Sequence, residues 1–177
     1  MKTILVFVST VDGKITKSGD PHVKKWTSLK DQEYFKKIWS ESQLIILGSG
    51  TFDAEPITPP LNNLLVIMTR NISNYKKYEV LGHLEFSDKS PVELTEQFEK
   101  RGFKTMIVAG GAHIATSFLK EQLIDELWLT IEPKIFGTGG NFVIEEDLDI
   151  NLTLISFEKV NEKGTLITKY SVDKTIK

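Results

Sequence analysis

The chain has 177 residues, 40% hydrophobic and 26% charged, with a formal net charge of −2. That is the make-up of one globular domain, 1–177, long enough to bury a proper core. The charge balance leaves no basic footprint for nucleic acid. The apolar segment 2–8 is too short to span a membrane and lacks a signal-peptide cleavage pattern. Cysteine is absent and histidine occurs only at 22, 83 and 113. Disulfides, thiolate catalysis and a metal site are therefore not expected, and a cytoplasmic location is the simplest reading.

Apolar β-rich runs alternate with helical patterns along the chain. Residues 3–8 read as a first strand. Residues 28–41 read as a helix, with Leu29, Phe35, Ile38 and Trp39 near helical spacing. Strands are expected at 43–47, 64–69 and, shorter, 84–86, with a helix start at 49–52. A helix over 91–101 has Pro91 in its first turn and Gly102 as its C-cap. Strands 105–109 and 126–133 flank a helix over 114–122. Residues 152–160 and 164–173 alternate in period two around Asn161-Glu162-Lys163 and read as a terminal antiparallel hairpin. Alternating β and α units imply a mostly parallel sheet covered on both faces, and the hairpin makes it mixed: a three-layer α/β/α sandwich. Ligands in such sheets bind beyond the carboxyl ends of the strands.

The most informative stretch is Val108-Ala109-Gly110-Gly111-Ala112-His113-Ile114. A strand ends on two glycines and a helix begins at once. Glycine lets backbone approach a ligand closely, and free amides with the helix dipole favour an anion there. Downstream lie Leu123-Ile124-Asp125-Glu126-Leu127 and Phe136-Gly137-Thr138-Gly139-Gly140. This ordered block resembles the reductase domain of riboflavin biosynthesis, a member of the dihydrofolate reductase-like superfamily. Such reductases are often fused to a zinc deaminase, whose signature needs cysteines. This chain has none, so the resemblance is to the reductase part alone.

Further motifs follow in the family's order, from Ser9 to about Phe142. Ser9-Thr10-Val11-Asp12-Gly13-Lys14-Ile15 resembles the S-x-D-G-K-I segment that lines the meeting place of nicotinamide and substrate. Asp-Gly is also a common surface turn. Asp31 and Phe35 share a helix face and resemble the D-x-x-x-F-K of dihydrofolate reductases, where the acid holds the pterin ring and the aromatic packs against it. The same residues also suit a first-turn acid and a core aromatic. Gly48-Ser49-Gly50-Thr51 forms a second corner for an anion and resembles the riboflavin enzymes' G-[AS]-G-T. Ser49 stands where a dihydrofolate reductase usually carries a basic residue. The segment 52–60 looks shortened, and no Arg or Lys falls between Gly48 and Met68, which leaves a substrate phosphate without its usual cation. At the third strand's end, Thr69 and Arg70 stand where the superfamily meets the 2′-phosphate of NADPH, with Lys76 and Lys77 nearby.

The resemblance implies an NADPH-dependent oxidoreductase that transfers hydride to a C=N or aldimine carbon. Its closest activity is 5-amino-6-(5-phosphoribosylamino)uracil reduction. Asp12 and Asp31 are the expected catalytic residues. Thr10, Gly48, Ser49, Thr51, Thr69, Arg70, Gly110, Gly111, Ala112 and His113 are the expected cofactor ligands, and Ser9, Lys14 and Phe35 meet the substrate. Asp125 and Glu126 are expected to be structural, and Trp26, Trp39 and Trp128 to lie in the core or an interface. The alternatives are a dihydrofolate reductase-like or other pterin or imine reductase, and a non-catalytic nucleotide-binding module of the same fold. The family also implies a homodimer.

Overall fold

Period-two alternation sends successive side chains of each strand to opposite faces of one sheet. The computed structural model describes residues 1–55, 57–58, 62–144 and 146–174. In it eight strands, β1 (Lys2–Thr10), β2 (Leu44–Gly48), β3 (Leu64–Met68), β4 (Leu84–Ser87), β5 (Thr105–Val108), β6 (Glu126–Glu132), β7 (Leu152–Lys159) and β8 (Leu166–Val172), form a single sheet. Their order is β4-β3-β2-β5-β1-β6-β8-β7. β1 to β6 run parallel, while β8 pairs antiparallel with both β6 and β7.

Four helices cover the two faces: α1 (Leu29–Glu41), α2 (Ser49–Ala54), α3 (Pro91–Lys100) and α4 (Ala112–Lys120). Leu5, Ile46, Val66 and Val108 pack with Leu94 and Phe98 of α3 and Phe118 of α4. The alternate residues Ile4, Val6, Ile45, Leu47 and Ile67 pack with Ile38 of α1 and Phe52 of α2. The sandwich therefore has three layers, as the alternation of elements implied. Burying each large side chain is worth roughly 2–3 kcal/mol, and Phe98 and Phe118 are completely enclosed.

Observed boundaries differ from the sequence expectation by one or two residues at most ends. The helix expected at 114–122 runs from Ala112 to Lys120, because it starts directly on the Gly110-Gly111 corner. Arg101 caps α3 and Gly102 follows it, one position later than expected. The shortened segment 52–60 lies outside the described residues at 56, 59 and 60.

Parallel order brings the carboxyl ends of β1 to β6 to one side of the molecule. β1 lies between β5 and β6, so the chain leaves this edge in opposite directions after β1 and after β5. That is the reversal beside which open α/β sheets leave room for a ligand.

Candidate active site

The carboxyl ends of β2, β3, β4 and β5 surround a cleft of about 610 Å³, the size of a cofactor or substrate cavity. Gly48, Ser49, Thr51, Thr69, Arg70, Gly111, Ala112 and His113 all line it. Three separate stretches of sequence thus converge on one hollow. A smaller hollow of about 340 Å³ opens at the other end of the strands. Its cation, Arg101, is already paired fork to fork with Glu85 at 2.9 and 3.0 Å.

Two helices begin at the large cleft, and both start on glycine. Gly48 precedes α2 and Gly111 precedes α4, and neither helix start has a side-chain cap. Their first amides remain available to an anion. The other two helices are capped by serine: Ser28 accepts from the Asp31 N–H, and Ser90 forms a full capping box with Glu93. The Gly48 N–H donates to the Gly110 carbonyl at 3.1 Å and ties the two corners together. Gly110 has φ +146, and a Cβ there would stand 3.4 Å from Thr51 Oγ1. This glycine lets α2 and the β5–α4 corner approach each other.

The rim of the cleft is polar and partly cationic. Arg70 and His113 are exposed, and the Thr69 hydroxyl accepts from the Asn71 N–H at 3.2 Å. Sequence reasoning missed Ser87 at the end of β4, Asp88 and Lys89 after it, and Asn74 and Tyr75, all of which line the same cleft. A short strand followed by Ser-Asp-Lys was the available signal.

Asp31 occupies the first turn of α1 and is only 5% exposed. Burial is the main reason its carboxyl is pushed up to about 6. The nearby Glu132 charge adds to the rise, and hydroxyl bonds from Thr130 and Thr27 oppose it. Phe35, one turn on, packs against Trp39 with ring centroids 5.6 Å apart. Two buried donors, Trp26 Nε1 and the Tyr34 hydroxyl, have no partner among the described residues. The Ser28 N–H donates to Glu132 Oε1 at 2.7 Å, which places the start of α1 over the carboxyl end of β6. Asp31 therefore lies on the same side of the sheet as the cleft.

The turn after β1 is built differently from the sequence expectation. Thr10 is 1% exposed, and its Oγ1 accepts from the Lys14 N–H at 2.9 Å and donates to Asp12. Asp12 in turn accepts from the Phe136 N–H at 3.2 Å and the Gly137 N–H at 2.7 Å. The Thr10 hydroxyl and then these amides hold its carboxyl below the ordinary range, against the effect of burial. Lys14 Nζ donates to Asn141 Oδ1 at 2.9 Å, and Ser9 is buried at the end of β1. Thr10 and Asp12, expected at the cofactor and at the reacting centre, are thus both engaged in joining the turn to the loop after β6. Gly139 seals this junction, since a Cβ there would stand 2.0 Å from the Thr16 carbonyl oxygen.

Asp125 accepts from the Thr3 N–H at 2.7 Å, and Glu126 accepts from Trp128 Nε1 at 2.8 Å. Both are structural, as expected. Trp26 is 7% exposed, in contact with Phe136 at 5.1 Å between centroids.

The family model described as the RibD C-terminal domain matches residues 1–166. The uncharacterized protein YwjB of Bacillus subtilis (strain 168) is 24% identical over 144 residues, covering 78% of this chain and 80% of that protein. A pyrimidine reductase-like protein from Corynebacterium diphtheriae superposes with a TM-score of 0.82 at 13% identity, covering 98% of this chain and 92% of the other. A dihydrofolate reductase from Enterococcus faecalis, complexed with NADP(H) and RAB-propyl, superposes with a TM-score of 0.63 at 20% identity, covering 97% and 94%. These likenesses at low identity show the shared dihydrofolate reductase-like fold.

Proposed function

The chain belongs to the RibD C-terminal domain family, and on that premise we propose that it is an NADPH-dependent reductase acting on a C=N or aldimine carbon of a small nitrogen heterocycle. The observation that carries the reading is the pair of uncapped helix starts facing one 610 Å³ cleft with Arg70 on its rim. Free amides of two helices suit the linked phosphates of a dinucleotide. Arg70, whose fork matches a phosphate, suits the 2′-phosphate that separates NADPH from NADH.

When bound, the nicotinamide supplies a hydride from its C4 position, the hard step of the chemistry. The chain's own residues bind, orient and exclude water. Asp31 is the substrate-holding acid: a carboxyl titrating near 6 accepts ring N–H groups when ionised and donates a proton when neutral. Phe35 offers an apolar surface one helical turn away. Asp12 acts at a distance, by holding the loop that follows β6 against the turn that follows β1.

The first substrate class to test is the phosphoribosylamino pyrimidine of riboflavin synthesis. A second reading, a pterin or related imine reductase, is favoured by one observation: Asp31 is buried and its neighbours are hydroxyls and an acid, not a cation. Such a group pairs naturally with the amino and ring N–H donors of a neutral heterocycle.

A homodimer fits the exposed face of β7. Pairing with Val172, Tyr170 and Thr168 sets Leu152, Leu154 and Phe157 on one face, and these three are 44%, 50% and 69% exposed. An apolar edge strand of this kind is usually covered.

The test is a thermal shift with NADPH and NADH, followed by turnover. A ligand that binds only the folded protein stabilises it by about 2.7 kcal/mol at a hundredfold excess over Kd. A large shift with NADPH and a smaller one with NADH is expected. NADPH oxidation with either substrate class excludes the binding-only module, and no shift with either nucleotide removes the reductase reading.

A further inference from the structure

The fold buries a second carboxyl beside Asp31. Glu132, at the end of β6, is 2% exposed. Its oxygens accept from the Ser28 N–H at 2.7 Å and from the Thr165 hydroxyl at 2.8 Å. Nothing in the proposed chemistry uses it.

The chain holds its own comparison for what Glu132 does. A helix starts with four amides that lack helical partners, the N-cap's own among them. In α3 the acid three residues after the N-cap answers this locally. Glu93 accepts from the Ser90 N–H at 2.9 Å, while Ser90 Oγ accepts from the Glu93 N–H at 3.3 Å. This is the reciprocal capping box. In α1 the equivalent acid is Asp31, and half the box is present: Ser28 Oγ accepts from the Asp31 N–H at 3.3 Å. The other half is missing, because the Ser28 N–H goes to Glu132 on the sheet. The Asp31 carboxyl meets Thr27 and Thr130 instead.

We propose that Glu132 is a positioning residue: it takes over from β6 the capping bond that the third-position acid would otherwise make, and so leaves the Asp31 carboxyl free of its own helix. Its value to turnover rests on the reading that Asp31 meets the substrate, but the displacement itself does not. Around Asp31 the titratable neighbours are Glu132 on β6 and Tyr34 on α1. Burial is the main cause that pushes the Tyr34 phenol to about 12, with Asp31 and then Glu158 of β7 adding to it. Glu132 is the charged group that raises Asp31.

Two variants of the full chain test this, read by carbon-13 NMR titration of the Asp31 carboxyl and by steady-state kinetics. In Glu132→Ala the Ser28 N–H loses its acceptor and Asp31 turns back onto it. The Asp31 midpoint should then fall from about 6 to the ordinary carboxylate range or below, because it gains a donor and loses a like charge. Turnover kcat/KM should fall on the order of 10–100-fold, the loss of a charged hydrogen bond, with the NADPH Kd unchanged. Glu132→Gln keeps an acceptor for Ser28 but not the charge. It should retain kcat/KM within a few-fold while the Asp31 midpoint still moves down. An unmoved Asp31 midpoint in Glu132→Ala overturns the proposal, as does a Gln variant as inactive as Asp31→Asn. Should Glu132→Ala fail to fold, the Gln variant decides alone. If the native protein binds no nicotinamide dinucleotide, the reductase reading fails, while the titration still decides the role of Glu132.

Discussion

On the proposed function, Asp31 concentrates the conflict between stability and chemistry in one side chain. Its carboxyl is raised from 3.8 to about 6 by burial. An acid raised in the folded state contributes fully below its unfolded value, and that contribution is lost as pH rises through the folded one. Stability should therefore decline between about pH 4 and pH 6 and then level off, at an order-of-magnitude cost of about 3 kcal/mol. Asp31→Asn should raise the melting temperature at pH 7.5 relative to the parent and flatten this decline, while abolishing turnover with NADPH affinity intact. Calorimetry across pH and a kinetic assay would check both halves. Arg70 is the second residue with a sharp expectation. Losing one charge-assisted phosphate contact costs about 1.5–3 kcal/mol. Arg70→Gln should weaken NADPH binding roughly 10–100-fold on that scale and leave NADH binding nearly unchanged. Equal losses for both nucleotides would remove Arg70 from the 2′-phosphate site.

At the scale of elements, the helices divide by how they begin. α1 and α3 start on serine caps and α2 and α4 on bare glycines. Ser90→Ala should cost about 1 kcal/mol of stability; Ser90 itself does not line the cleft, although Lys89 beside it does, so the loss should fall on stability more than on cofactor affinity. Gly110→Ala should do the reverse in emphasis. The new side chain would sit at φ +146 and press on Thr51, so strain of roughly 1–3 kcal/mol falls where the two ligand corners meet. NADPH affinity should drop more than the stability loss alone accounts for, measured by isothermal titration against the melting temperature. Unchanged affinity would separate this corner from the cofactor.

For the whole molecule, the clamp between the β1 turn and the loop after β6 joins segments more than a hundred residues apart. Asp12 supplies its carboxylate, and Lys14 and Thr16 add bonds to Asn141 and Gly140. Asp12→Ala should speed hydrogen exchange at the amides of 136–137 and raise the substrate KM, with the NADPH Kd held. Protection as in the parent would show that the clamp holds without Asp12. At the far edge of the sheet, Phe157→Lys should convert a dimer to a monomer in light scattering if β7 is the contact face.

Much of this architecture is written locally. Short continuous apolar runs marked the central strands and period-two alternation the terminal hairpin, and Pro91, Gly102 and the Gly110-Gly111 pair marked where helices start or stop. The Gly48, Thr69 and Gly110 corners were legible as strand ends, and parallel order then made them neighbours. Sequence also marked Asp31 as a first-turn acid, through its spacing to Phe35. What the sequence alone left open was every pairing that depends on packing across the sheet. Glu132 reads as one more polar residue alternating along β6. Only the seating of α1 on that strand brings it to Ser28 and leaves Asp31 to Thr27 and Thr130. Asp12 and Thr10 read as ligands because a turn motif shows composition but not which donors will reach it. Only the tertiary structure brings the Phe136 and Gly137 amides of a distant loop to the Asp12 carboxylate, because those donors come from a segment more than a hundred residues away that the fold seats beside the β1 turn.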